Sequence, residues 1–329
     1  MSDSVPGTTP LITIRGLQTH FFTQRGVAKV LDGLNFEIAS GRVTGLVGES
    51  GSGKSVTAFS IMRLMRAPGR IVAGKIEFQG VNLLQLTERE MAKVRGEKIS
   101  MIFQQPRASL NPVFTVKDTL LRVLRIHKGL SARKAQRAAL EVLARVGLPD
   151  PAVVLNRYPH QLSGGMCQRV MIALAISCGS KLLLADEPTT ALDVTVQFQI
   201  IELLKELEDE TGLTQLLITH DLGLVAELCS EVAVMYAGEI VEQAGVHALF
   251  DQPSHPYTRG LLQSRPKPGA RGELQSIPGR VPDLLAPPSG CRFHPRCPLA
   301  QSRCAEESPV PEIVGEGHWV RCHFWRDLV

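Results

Sequence analysis

The segment GESGSGKS, Gly48 to Ser55, constrains this chain more than any other stretch of comparable length. It follows RVTGLVG, an apolar run that stops abruptly at glycine as a buried strand does at a turn, and it opens a helical run from Lys54 to about Met65. Glycines at such a turn let the backbone fold tightly enough for successive N–H groups and a helix N-terminus to converge on one point, which suits a phosphate. Strand, glycine-rich turn and helix in this order form the context that a nucleotide phosphate loop requires. On this reading Gly48, Glu49, Ser50, Gly51, Ser52, Gly53 and Val56 form the cradle. Lys54 would reach the β/γ-phosphates of a bound nucleotide, and Ser55 would ligate Mg2+.

The rest of the chain predicts an α/β fold around that loop. LITI and VLDGLNFEI read as strands before it, and KIEFQ and ISMIF as strands after it. From Lys181 the pattern runs KLLLADE, a helix over Val194 to Glu210, TQLLITH, a helix ending near Cys229, and EVAVMYAGEIVE. Strands that are apolar throughout and alternate with helices predict a parallel sheet covered on both faces. Between Thr115 and Gly147, Leu, Val and Ala recur at helical spacing in two runs split at Lys128-Gly129, which predicts a helical insert. Basic residues outnumber acidic ones there, as on solvated helix faces or a surface that meets anionic lipid or a partner.

With 329 residues the chain can bury about two domains' worth of core. A formal net charge of +4, with both signs interspersed, disfavours a dedicated nucleic-acid binder. No stretch approaches the roughly 18 to 20 apolar residues of a membrane span. The first residues, MSDSVPGTTP, lack the basic and apolar regions of a signal peptide, so a cytoplasmic location is expected.

LLLADE delivers Asp186 and Glu187 at the C-terminal end of a strand, where open α/β sheets bind ligands. Asp186 suits Mg2+ and Glu187 suits orienting an attacking water. His220 ends the next strand, TQLLITH, and is expected on the same sheet edge. With QLSGGMCQR at Gln161 to Arg169 added, the chain resembles the nucleotide-binding subunit of an ATP-binding-cassette transporter over about residues 11–264. The resemblance implies a P-loop NTPase fold with the helical subdomain at about 105–178. It implies that Gln104, in MIFQQP, contacts Mg2+ and the attacking water. Ser163, Gly164 and Gly165 would touch the γ-phosphate of ATP held by a partner subunit, Asp193 would lie at the dimer seam, and His220 would clamp the γ-phosphate. Adenine would stack on an aromatic ahead of the loop, here Phe22, with Phe21 and Arg25 as alternates. Met166 and Cys167 depart from the usual signature, but the serine and glycines remain. Ser163 lies far from Lys54, across the insert, so closure of the site is expected to need a face-to-face dimer.

After Ser264 the texture changes. Ten of the 21 prolines, both tryptophans and four of the seven cysteines fall in residues 265–329, with no convincing helical or strand period, which predicts a separate loop-built appendix in need of a staple. Cys291, Cys297, Cys304 and Cys322 are spaced C-x5-C-x6-C-x17-C, without the tight knuckle common in zinc sites. An iron-sulfur cluster, zinc with His294, His318 or His323 replacing a thiolate, and unrelated reduced thiols all stay open. HPYTRGLLQS, IPGRVPD and GCRFHPRC resemble the extension of the oligopeptide/dipeptide importer branch. That resemblance implies a 4Fe-4S cluster and uptake of a peptide-like solute, with nickel, glutathione, sugars and opines as other cargoes in the branch. It also implies two transmembrane permease subunits, a sister ATPase and an extracytoplasmic solute-binding protein, with this chain peripheral on the cytoplasmic face of the inner membrane. DNA-repair and translation-associated ATPases share the signature chemistry, but the former need long coiled coils or a lesion-binding domain and the latter tandem cassettes.

Overall fold

Apolar residues alternate along Pro10–Thr23 (β1) and Gly26–Ala39 (β2), so one face of this antiparallel pair buries Ile12, Ile14, Leu31, Phe36 and Ile38. The computed structural model describes residues 10–190, 192–264 and 276–328. Its chain divides into two units, Met1–Leu84 with Ile218–Val329, and Gln85–Leu217. In the first unit β3 (Val43–Val47) leads into the glycine loop, and Gly69–Phe78 (β4) and Val81–Asn82 (β5) complete a four-stranded sheet in the order β2-β1-β4-β5.

The second unit carries Ile99–Ile102 (β6), Leu182–Asp186 (β7) and all but the last residue of Thr214–Ile218 (β8), in the sheet order β8-β7-β6. All three are buried along their length, as the apolar runs predict, and β6 pairs parallel to β7. The helical insert is present as Val116–Lys128 and Ala132–Arg145. Thr115 and Asp118 form a reciprocal cap at the start of the first helix, and Gly129 ends it in a left-handed conformation (φ 62°). Leu120 and Leu124 on one helix and Ala135, Ala139 and Leu143 on the other are buried, whereas the basic residues lie on the outer faces.

The remaining strands return to the first unit. Glu231–Tyr236 (β9) runs parallel to β3, and Glu239–Gly245 (β10) runs antiparallel to β9. Two strands then come from the tail, Glu312–Gly315 (β11) and His318–Val320 (β12), giving the order β11-β12-β10-β9-β3. Strands of three and four residues are too short to show a period, so the sequence conveyed loops only. Pairing of Glu242 with Val320 and Gln243 with Trp319 makes the tail part of the sheet.

The helix after the glycine loop is also shorter than its apolar spacing predicts, Lys54–Ile61 rather than to Met65. Arg63 takes a positive φ of 50°, and its guanidinium donates to the Leu83 carbonyl at 3.1 Å, which turns the chain out of the helix. Among the described residues no helix is long and apolar enough to cross a membrane.

Candidate functional site

In the first unit the loop between β3 and the helix Lys54–Ile61 is built as the sequence predicts. Gly48 has φ 153°, and a Cβ there would lie 2.1 Å from the Met235 carbonyl oxygen, so only glycine fits against β9. The Lys54 ammonium turns back into the loop and donates to the carbonyls of Gly48 (2.7 Å) and Glu49 (2.9 Å). Gly53, at the N-cap of the helix that Lys54 begins, carries no capping side chain, and the helix start faces the loop. A cation and a helix N-terminus converging inside a glycine turn can bind a polyphosphate. Thr219, next to His220, donates its N–H to the Leu46 carbonyl of β3 (3.3 Å), which carries the exposed His220 beside the strand that feeds the loop. Phe22 is half-exposed on the β1–β2 hairpin, with the Arg70 guanidinium 5.6 Å above its ring.

In the second unit β7 ends in buried Asp186, and Glu187 follows in a left-handed conformation (φ 47°) that non-glycine residues adopt at a cost of about 1–3 kcal/mol. Its Oε2 accepts from Gln104 Nε2 and from Thr190 Oγ1, both at 2.8 Å. The Gln104–Glu187 pair spans 83 positions and joins the two residues assigned to water and metal. Gln168, buried in the helix Gly164–Ile176, donates to the Pro188 carbonyl at 2.6 Å and so fixes the turn beyond Glu187. Ser163 caps that helix by accepting from Met166 N–H at 3.2 Å, and Asp193 caps the helix Val194–Thr211. A Cβ on Gly165 would stand 2.9 Å from Val196 Cγ1, so glycine is what lets these two helix starts approach.

Contacts that the sequence did not reveal support the first-unit loop. The Tyr257 hydroxyl accepts the Glu49 N–H at 2.8 Å. Tyr257 itself is buried, its ring 4.6 Å from Tyr236 and 5.4 Å from Phe293, and burial raises its phenol pKa. His255 N-caps the helix Pro256–Gln263, accepting from Tyr257 N–H at 3.0 Å, and full burial lowers its pKa to about 4, so it caps as a neutral imidazole. Two backbone N–H groups, of Ser254 (2.6 Å) and His255 (3.0 Å), and His318 Nε2 (2.9 Å) converge on the fully buried Glu242 carboxylate of β10. This ties the start of that helix to β10 and to the tail strand β12. Spacing could not reveal these partners, because 76 positions separate Glu242 from His318.

Cys291, Cys297, Cys304 and Cys322 line one pocket, walled by Phe293 and Phe324. Burial pushes the thiols of Cys291 and Cys322 up to about 11 and 12, with the neighbouring cysteines adding to both. Among the described residues, however, no three His, Cys, Asp or Glu side chains stand as they would around a metal ion, so the expected metal centre is not preformed as a coordination geometry. Of the alternative ligands, His294 and His323 line the pocket, whereas His318 is committed to Glu242.

The α/β fold and the phosphate loop define a P-loop nucleotide-binding protein. The family model for ABC transporters matches residues 31–190, and that for the C-terminal region of oligopeptide/dipeptide transporters matches residues 241–304. The chain is 50% identical over 326 residues to a probable peptide ABC transporter ATP-binding protein of Sinorhizobium fredii, covering 98% of this chain and 97% of that protein. It is 46% identical over 315 residues to the dipeptide transport ATP-binding protein DppD of Escherichia coli, covering 95% and 96%. Among solved structures, the dimeric ATP-binding cassette MJ0796 bound to ADP and Pi is similar, with a TM-score of 0.65 and 28% identity over 71% of this chain and 98% of that one. The chain belongs to the ABC transporter family as an ATP-binding subunit, an ATPase coupled to transport.

Proposed function

We propose that this chain powers the import of a peptide-like solute. The observation that carries this reading is the oligopeptide/dipeptide transporter region over residues 241–304, joined in one chain to the ATPase cassette. The named relatives in Sinorhizobium fredii and Escherichia coli are peptide and dipeptide transport ATP-binding proteins. Two chains, this one with a copy or a sister ATPase, close on ATP. The loop Gly48–Ser55 and Lys54 hold the phosphates of one nucleotide, Ser55, Gln104 and Asp186 serve Mg2+, and Glu187 orients water. Ser163, Gly164 and Gly165 of the partner subunit complete the site, with Asp193 at the seam, His220 at the γ-phosphate and Phe22 against adenine. Phosphoryl transfer needs charges placed in advance and little covalent help, and the fixed Gln104–Glu187–Thr190 contact supports that role. Closure is passed to two permease subunits at the cytoplasmic face of the membrane, with an extracytoplasmic protein delivering the solute. Disrupting the gene is expected to abolish uptake of a labelled dipeptide and its return on a plasmid to restore it. Undiminished dipeptide uptake alongside lost uptake of nickel or glutathione would replace the solute class and leave the ATPase reading in place.

The four-cysteine pocket suits a 4Fe-4S cluster in its donor chemistry, with Cys291, Cys297, Cys304 and Cys322 as the thiolates and zinc as the second reading. Bound there, the group would cross-link a loop-rich segment. Anaerobically purified protein is expected to absorb broadly near 400 nm and to contain iron and sulfide at about four each per chain. Stoichiometric zinc, or four titratable thiols without metal, would reject the cluster.

A further inference from the structure

The loop between Cys291 and Cys297 carries two arginines, and both reach the phosphate loop's surroundings. Arg292 donates to the Ala237 carbonyl and to Asp32 (3.0 Å), and Gly238, the next residue along, donates its N–H to the Ser52 carbonyl at 2.8 Å. Arg296 makes the more direct contact. Its Nη1 donates to Glu49 Oε2 at 2.7 Å and its Nη2 to Glu49 Oε1 at 3.0 Å, a two-pronged bond across 247 positions. Arg296 is itself held by the tail and by β9. Its Nε donates to the Pro278 carbonyl at 2.8 Å, and the guanidinium lies 5.8 Å from the Tyr236 ring centre and 6.0 Å from that of Phe293. Its side chain is 6% exposed, against 26% for Glu49, and the bond to Glu49 raises its pKa further.

Glu49 is chemically odd where it stands. The backbone of Gly48–Ser55 exists to gather positive potential around phosphates, yet the second residue of the segment carries a carboxylate, and the Lys54 ammonium is bonded to that residue's own carbonyl. An unbalanced carboxylate there would repel a ligand bearing several negative charges, and partial burial would leave the repulsion poorly screened. We propose that Arg296 is a positioning residue for ATP: the tail inserts it to cancel the charge of Glu49 and hold the carboxylate away from the incoming phosphates. The C-terminal extension then sets the nucleotide affinity of its own subunit, and whatever holds Cys297 in place holds the adjacent Arg296 too.

This rests on the nucleotide reading of the loop, and a wild-type chain that failed to bind ATP would sink that reading rather than this one. The test is calorimetric titration of the full chain with ATP and Mg2+, after circular dichroism has confirmed the fold of each variant. R296Q is expected to weaken ATP binding roughly tenfold, with a deficit that shrinks in high salt, and to raise KM while kcat holds. R296K keeps the charge and is expected to stay within about threefold of wild type. The decisive variant is R296Q combined with E49Q, because a brace would be no better off without its second partner, whereas charge cancellation predicts recovery to within about threefold. Wild-type affinity in R296Q, or a double variant as weak as R296Q, would overturn the proposal. Should R296Q not fold, the double variant and R296K still decide it, since a tenfold loss in either overturns it.

Discussion

Replacing Glu187 with Gln is expected to leave ATP binding within a few-fold of wild type and to lower the rate of phosphate release by about a hundredfold or more. The amide keeps the size of the side chain and still offers an oxygen to Gln104 Nε2 and Thr190 Oγ1, which hold the carboxylate at 2.8 Å each. It removes the charge that would orient and polarise water. Because ATP then persists, the variant should also elute as an ATP-dependent dimer in size-exclusion chromatography where wild type returns to monomer. Phosphate release near the wild-type rate would take Glu187 out of the chemistry and leave its left-handed backbone (φ 47°) without a catalytic reason.

Glu242→Ala should produce the largest loss of stability. The carboxylate is fully buried and accepts from the N–H groups of Ser254 and His255 and from His318 Nε2. Alanine strands three buried donors at once, and leaving even one such group unsatisfied costs about 1–3 kcal/mol, so a loss of about 3 kcal/mol or more is expected. Chemical denaturation of the first unit should show it as a shifted midpoint with an unchanged slope. Glu242→Gln, which keeps an acceptor, should lose less. A loss below about 1 kcal/mol in the alanine variant would mean that water or a relaxed backbone replaces the carboxylate. The same contacts place Tyr257, whose hydroxyl receives the Glu49 N–H, so the damaged variant should also bind ATP more weakly.

The two substitutions probe parts of the protein that differed in legibility. The phosphate loop, the buried parallel strands and the amphipathic insert could be read from residues because their signals are local. A glycine turn is fixed by its own eight residues, and a strand or helix declares its period within a dozen. The roles proposed for Gln104 and Ser163 rest on a family resemblance and that for Glu187 on its place after an apolar strand, but the bond between Gln104 and Glu187 could not be read, since 83 positions lie between them. The tail offers no such local signal. Its strands β11 and β12 are too short to show alternation, and they exist because β10 offers an open edge to pair with.

The sequence by itself determined that this chain folds as an α/β protein around a phosphate loop, where that loop lies, and that Asp186 and Glu187 stand at the end of β7, because each rests on short-range backbone chemistry. Only the tertiary structure decided what Glu49, Glu242, Tyr257 and Arg296 touch. A carboxylate in a glycine loop or in a strand has no legible partner, and its cost or benefit is set by the one cation or the few N–H groups that folding brings to it from far along the chain.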